Sequence, residues 1–467
     1  MAQTEYDIVV IGAGPGGYVA ALRAAQQGAT VCLIESDRVG GTCLNRGCIP
    51  TKALYSTAQL YHRMQKSAEH GISIGPISFD YALAVDRKNG IVEQLVGGVA
   101  QLLKKSGVDV FTGTASLESI GRVRFQNQSV VGHVQAKSII LATGSVPIRP
   151  EALFPSRKNI LTSTEILAIK DFPENLLVIG GGYIGCEFAS IFATLGCTVT
   201  IVEQLPQILT GSDRQIVREV EKSFKEQGVT LHTGVAVDSL EPTEHGVTAS
   251  FAGNQQQFDK VLVAIGRRPN SSGLNLEEVG VVTEQGAIQV DAQMRTSVPN
   301  VYAIGDVTGG IQLAHVASYQ AGIAVVNALG GNDSADYSVV PSAIFTYPEV
   351  AQVGLNEAEC KEQGIPVDIG RFAYLASGKA MCEGETRGSV KVVAEKGGGK
   401  ILGAAIAGEG ASAMIAEIAV AVAQEMTASQ LAAVIHAHPT LPEIVFEAVE
   451  DVEGLAVHKV GRRRPKK

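Results

Sequence analysis

One short pattern occurs twice along the chain, and its repetition limits the fold more than any other feature. "YDIVVIGAGPGG" is an apolar run ending in Gly12, Gly14 and Gly17; "NLLVIGGGYIG" is a second such run, ending in Gly180, Gly182 and Gly185. Each leads into a helical stretch and then a further apolar run that closes on an acid, Glu35 or Glu203. That acid lies 23 positions beyond the first glycine in both cases, and the two units are 168 positions apart. The first glycine permits a tight turn, the second lets backbone N–H groups approach a pyrophosphate, and the third lets the helix pack against the strand. The helix N-terminus adds partial positive charge. One glycine triplet is weak evidence. Strand, glycines, helix and acid, found twice at one spacing, predict an α/β protein with two Rossmann-like dinucleotide-binding domains.

The acids narrow the choice of dinucleotide. A carboxylate at Glu203 repels a 2′-phosphate, and the following "QLPQIL" has no arginine to accept one, so the second unit should take NAD. Glu35 argues likewise for an unphosphorylated adenosine ribose in the first unit, where FAD fits.

At 467 residues the chain is too long for one core of ordinary size, and 45% hydrophobic content allows several. No uncharged apolar run reaches membrane-spanning length: the richest stretch, "MIAEIAVAVAQEM", carries Glu417 and Glu425. The first residues, "MAQTEYD", lack the basic and apolar regions of an export signal. A cytoplasmic protein without membrane contact is expected. The net charge is −9, although the last ten residues, "HKVGRRRPKK", hold six Lys or Arg, so the body is strongly acidic and unsuited to nucleic acid. We read residues 458–467 as a basic, solvated tail.

Seven cysteines, odd in number and scattered, do not form a secreted disulfide framework. Two stand five apart in "GGTCLNRGCIPTK", Cys43 and Cys48. Taken alone they could be metal ligands, a structural staple or a redox pair.

With "IILATGS", "AIGRRPN", "VYAIGDV" and "HAHPTLPE" added, that segment resembles the flavin-dependent pyridine nucleotide disulfide oxidoreductases, over about residues 5–457. The resemblance is strongest to members that oxidise protein-bound dihydrolipoamide to lipoamide and pass hydride to NAD+, as components of 2-oxoacid dehydrogenase or glycine cleavage complexes. It implies a homodimer, lipoyl domains or H-protein as partners, and a C-terminal α+β interface domain. The boundaries expected are 1–147 with 275–340 for FAD, 148–274 for NAD and 341–457 for the interface. Members with a C-terminal redox pair are excluded, since no cysteine follows Cys382.

On this comparison Cys43 exchanges with substrate and Cys48 faces the flavin. His438 is the base and Glu443 its orienting carboxylate, with His436 a weaker rival. Gly41, Thr42, Lys52, Ala142, Thr143, Gly144, Asp306 and Ala314 belong with FAD, beside Gly12, Gly14, Gly17 and Glu35. Glu187 and Gly266 belong on the NAD side, beside Gly180, Gly182, Gly185 and Glu203, with Lys52 and Glu187 paired. The motifs settle the cysteines as a redox disulfide. Zinc would need two further ligands at compatible spacing, which the sequence does not offer, so no metal is expected. On a regular helix, residues five apart have Cα atoms roughly 8.7 Å apart, beyond the roughly 4.4–6.8 Å of a disulfide. A bend is therefore required. Gly47 can supply it, and Pro50 is tolerated if the regular helix starts close by. In the interface domain, "GSVKVVAE" and "ILGAAIAG" read as a hairpin and "MIAEIAVAVA" as a core helix.

Overall fold

The computed structural model describes residues 5–153 and 158–460. Most of the tail, residues 461–467, lies outside them. The chain divides into two compact units: 1–57 with 79–172 and 263–336, and 58–78 with 173–262 and 337–467.

The first unit is built on a sheet in the order β3 (Asp109–Thr112), β2 (Val31–Glu35), β1 (Glu5–Ile11), β6 (Val131–Leu141), β5 (Arg122–Gln126), β4 (Thr114–Ser119). β3, β2, β1 and the end of β6 run parallel, and the returning strand Val301–Ala303 joins β6 in parallel at Ile139 to Leu141. β6 serves two environments. Its first half pairs antiparallel with β5, where Val134 is buried between exposed His133 and Gln135. Ser138 to Leu141 are continuously buried, as expected of a parallel strand covered on both faces. Helix α1 (Pro15–Gln26) packs on this sheet and against the helix Ala314–Ala328, with Ala20, Ala21 and Ala24 fully buried.

In the second unit the strands Thr230–Thr233, Thr198–Glu203, Asn175–Ile179 and Lys260–Val263 lie side by side in that order. The helix Tyr183–Thr194 follows the second glycine loop. The C-terminal part is a five-stranded antiparallel sheet in the order Ser342–Ile344, Val350–Gly354, Ile401–Ala407, Ser389–Glu395, Val367–Ala373. The expected hairpin is its centre. The expected core helix is Ala411–Ala423, which buries Met414, Ile415 and Ile418 in one cluster with Val390, Val392 and the helix Glu443–Val452. Lys391 points to the opposite face and forms a buried ion pair at 2.5 Å with Asp213, the N-cap of the helix Arg214–Glu226. Gln215 Nε2 also donates to Ser389 Oγ at 2.6 Å. These bonds join the second dinucleotide module to the C-terminal sheet.

His458 and Lys459, at the start of the basic tail, are exposed and pair with Glu447 and Asp451.

Candidate active site

The two glycine loops have the same construction. Gly12 (φ 99°) turns the chain out of β1, and Gly14 caps α1 with Pro15 in its first turn. A Cβ on Gly12 would lie 2.4 Å from the Ala142 carbonyl oxygen, and one on Gly17 only 1.8 Å from the Gly12 oxygen, whereas one on Gly14 would meet nothing within 4 Å. The first and third glycines therefore close the loop, and the second leaves open space before the helix N-terminus, which suits a pyrophosphate. The second loop repeats this: Gly180 has φ 105°, a Gly185 Cβ would fall 2.0 Å from the Gly180 oxygen, and Gly182 faces open space.

The acids have a task that spacing did not predict. Glu35 accepts from the Ala13 amide at 2.6 Å and the Asp37 amide at 2.8 Å; Glu203 accepts from Gly181 at 2.5 Å and Leu205 at 2.7 Å. Each carboxylate fastens its own loop and keeps lone pairs for ribose hydroxyls. Gly17→Ala is expected to abolish flavin retention. The check is the flavin-to-protein absorbance ratio of the purified variant, and a wild-type ratio would refute the assignment.

Ala142, Thr143 and Gly144 stand over Gly12 and are tied to a distant segment. The Asn270 amide donates to the Gly144 oxygen at 2.9 Å, and Thr143 Oγ1 donates to the Asn270 oxygen at 2.7 Å. β7 (Ser145–Pro147) pairs with Arg267–Pro269, which places Gly266 opposite Ile148 in the first unit. This ribbon creates a network that the sequence reading missed. Ser145 Oγ donates to Asp306 Oδ2 at 2.5 Å, while Arg267 donates to Ser145 Oγ at 2.8 Å and to its carbonyl at 2.6 Å. Burial lowers the Arg267 pKa; Asp306 and the charge on Cys48 act in the opposite direction. The only signal available was that Ser145 and Arg267 sit inside the "ATGS" and "GRRPN" motifs. Ala314 begins the helix Ala314–Ala328 in the same unit.

The thiol segment rests on the first glycine loop. The Gly40 amide donates to the Ala13 oxygen at 2.8 Å, and a Cβ on Gly41 (φ 55°) would lie 2.6 Å from Gly14 Cα. α2 (Gly41–Arg46) contains Thr42 and Cys43, and α3 (Cys48–Gln65) begins at Cys48. Gly47 separates them at φ −146°, ψ −111°, outside helical geometry, so the required bend falls there. Pro50 lies in the first turn of α3, where its missing N–H costs nothing. Asn45 Nδ2 braces the bend by donating to the Val39 and Gly41 oxygens at 3.0 and 2.9 Å.

Cys43 and Cys48 are half-buried, and the Cys43 thiol is hydrogen-bonded to Cys48. The bond to Cys48, burial and the charge on Cys48 together push the Cys43 thiol well up, while Lys52 pulls it the other way. Cys43 is thus the member of the pair that holds its proton.

In the second unit, His438 Nδ1 lies 2.8 Å from Glu443 Oε1, and the Thr440 amide donates to Glu443 Oε2 at 2.8 Å. Partial burial tends to raise the Glu443 pKa, but the Thr440 amide and the His438 ring outweigh it and hold the carboxyl below its usual range. The imidazole is 80% exposed, and the His438–Pro439 peptide is cis. His436 is otherwise engaged: Nε2 meets Glu417 at 2.8 Å and Nδ1 meets the Val434 oxygen at 2.9 Å. Glu187 is buried and accepts from the Phe345 amide at 3.0 Å. Cys186 is fully buried, with its thiol donating to the Gly181 oxygen at 3.3 Å, which suits a small core residue.

Two dinucleotide cradles with a dithiol seated on the first define a dithiol oxidoreductase working between two nucleotides. Residues 6–321 match the family model described as pyridine nucleotide-disulphide oxidoreductase, and residues 340–449 match its dimerisation domain. The chain belongs to that family. It is similar to a Chlamydia muridarum protein named dihydrolipoyl dehydrogenase, 44% identical over 446 residues and covering 95% of this chain and 96% of the relative. A Geobacillus stearothermophilus protein of the same name is 42% identical over 460 residues, 97% of each. Among solved structures, LpdA from Mycobacterium tuberculosis has a TM-score of 0.90 at 28% identity, covering 96% of this chain and 99% of that one. The Cu(II) complex of the HOCl-induced flavoprotein disulfide reductase RclA from Escherichia coli has a TM-score of 0.89 at 30% identity, covering 97% and 100%. Among the described residues no helix is long and apolar enough to cross a membrane.

Proposed function

We propose that the protein is a dihydrolipoyl dehydrogenase, a homodimeric oxidoreductase that uses FAD and NAD and returns protein-bound dihydrolipoyl groups to the disulfide. The observation that carries this reading is the bent Cys43–Cys48 dithiol fixed on the first dinucleotide loop, in a chain 40–44% identical to proteins of that name. The flavin belongs with Gly12, Gly14, Gly17, Glu35, Asp306 and the dithiol. The open face of Gly14 and the carboxylate of Glu35 fit its pyrophosphate and adenosine ribose.

In the oxidised enzyme, neutral His438 accepts a proton from dihydrolipoamide, and Glu443 balances the resulting imidazolium. The substrate thiolate attacks Cys43 Sγ, the Cys43–Cys48 bond breaks, and the electron pair leaves on Cys48. The imidazolium passes this proton to Cys43 as the second substrate thiol displaces it from the mixed disulfide, and the freed imidazole takes the second thiol's proton; lipoamide leaves, with Cys43 a thiol, Cys48 a thiolate and His438 protonated. When bound, FAD supplies the two-electron relay between this dithiol and the nicotinamide. The net change is dihydrolipoamide plus NAD+ to lipoamide, NADH and a proton.

Glu203, whose carboxylate accepts from two backbone amides, disfavours a 2′-phosphate and sets the preference for NAD. We assign His438 to the thiol pair of the opposite subunit, and lipoyl domains of a 2-oxoacid dehydrogenase complex or the H-protein of glycine cleavage as the natural substrates. A cytoplasmic setting accords with seven cysteines, odd in number and scattered, that do not read as a secreted disulfide framework. Anaerobic assay with dihydrolipoamide should give NADH formation at least about 10²-fold faster with NAD+ than with NADP+ at equal concentration, since a cofactor phosphate set against this half-buried carboxylate loses several kcal/mol. Equal rates, or none with either nucleotide, refute the proposal.

A further inference from the structure

The helix Glu443–Val452 carries more acid than its role beside His438 requires. Glu443, Glu447 and Asp451 follow at intervals of four, so successive turns present a carboxylate near one face, and Glu450 adds a fourth. Like charges at this spacing repel along a helix. Glu443 is engaged with His438. Glu447 and Asp451 are met from the C-terminal segment. His458 Nδ1 lies 2.5 Å from Glu447 Oε1, and the His458 backbone N–H donates to Glu447 Oε2 at 3.3 Å. Lys459 Nζ donates to Asp451 Oδ2 at 2.6 Å and to the Arg371 carbonyl at 2.8 Å; the Arg371 amide also donates to Asp451 Oδ2, at 2.8 Å. Residues 458–459 therefore strap the helix to the strand Val367–Ala373.

The exposures of the two partners are unequal. Glu447 is 7% exposed and His458 72% exposed. A buried carboxylate needs a compensating charge, and the imidazole provides it from the solvent side at little cost to itself. Its bond to Glu447, then the charges of Glu447, Glu443 and Glu450, hold His458 in its protonated form above the usual histidine range. The charged groups around it are thus Glu443, Glu447, Glu450 and Asp451 on the helix, Lys459 on the strap and Arg371 on the strand.

We propose that His458 is a positioning residue for the reaction: it balances the buried Glu447 one turn behind Glu443 and ties that helix down, and so governs how readily His438 takes a proton. The proposal rests on the reading of His438 as the base. Removing the His458 charge leaves Glu447 uncompensated. The added negative field favours protonated His438, so the base is free only at higher pH. Removing the Glu447 charge acts in the opposite sense. Loosened packing alone would lower the rate without moving the pH limb in opposite directions.

The test is kcat/KM for dihydrolipoamide against pH on full-length, flavin-loaded enzyme. His458→Gln should move the acid limb up by roughly 0.3 pH unit, about a twofold loss on the limb, the size expected of one charge on the order of 10 Å away through a solvent-rich path. Glu447→Gln should move it down by a similar amount, the double variant, which removes one charge of each sign, should lie close to wild type, and His458→Lys should restore the wild-type limb. His458 is largely exposed, so His458→Gln and His458→Lys decide the matter even if the Glu447 variant does not accumulate. An unmoved limb, or shifts of the same sign in both single variants, overturns the proposal. An acid limb that persists in His438→Gln overturns the reading beneath it, and the proposal with it.

Discussion

Cys48→Ser should lose about 10⁴-fold or more of dihydrolipoamide-driven NAD+ reduction, the scale on which removal of a reacting nucleophile acts. The reason lies in the thiol pair. Cys43 keeps its proton by donating to Cys48, so Cys48 takes the charge. A serine hydroxyl cannot carry that charge near neutral pH, form the Cys43–Cys48 bond or release an electron pair as a thiolate does. Cys43→Ser should lose as much, because the two sulfurs act as one unit and either loss abolishes the disulfide. NADH oxidation by an artificial acceptor such as ferricyanide, which bypasses the thiols, should persist in both variants. That contrast separates lost thiol chemistry from a lost cofactor. Lipoamide turnover by Cys48→Ser above about one-tenth of wild type would remove the redox pair from the mechanism.

The parts of this site that were legible in the sequence are those fixed by local sterics. Gly12, Gly17 and Gly185 could be read because a single added carbon at any of them meets a backbone oxygen of the same unit or its neighbour. The bend at Gly47 could be read because a regular helix cannot bring Cys43 and Cys48 together. The two carboxylates could be located at the ends of their strands by spacing, but their bonds to Ala13 and Gly181 depend on how each loop folds back over the end of its acid strand, which spacing does not encode. The Ser145–Asp306–Arg267 network was illegible for a different reason: its members lie 161 and 122 positions apart, and only the completed sheet brings them into contact.

The two histidines illustrate the same limit. His436 and His438 share one motif and differ only by an alternating placement, so the resemblance alone separated them. The structure separates them by partners, because Glu417, 19 positions away on another helix, takes the second ring nitrogen of His436. The contacts of the first tail residues were illegible for a related reason. Composition marks residues 458–467 as basic, and basic termini are normally solvated. The acids that receive His458 and Lys459 become visible only when the helix Glu443–Val452 is wound and Glu447 and Asp451 emerge on the side where the chain returns.

His438→Gln should lower kcat/KM for dihydrolipoamide by about 10³-fold, within the range a positioned general base contributes. The glutamine fills similar space and can bond to Glu443, but it has no nitrogen that can accept the substrate proton. Glu443→Gln tests the other half of the pair and should cost less, about 10- to 10²-fold, because the base remains. Its effect on pH has a definite sign. A neutral amide cannot balance the imidazolium, so protonation of His438 becomes less favourable, and the acid limb should move down as the maximum falls. The carboxylate also contributes to local stability. Its folded value lies below its unfolded one, so the His438–Glu443–Thr440 cluster is fully stabilised above the unfolded carboxyl range and loses that contribution as pH falls through the depressed folded value. His436→Gln is the control: both ring nitrogens already have partners within the chain, so turnover should stay within about threefold of wild type. If His436→Gln proves the more damaging of the two histidine variants, or if the acid limb of Glu443→Gln rises, the base has been assigned to the wrong ring.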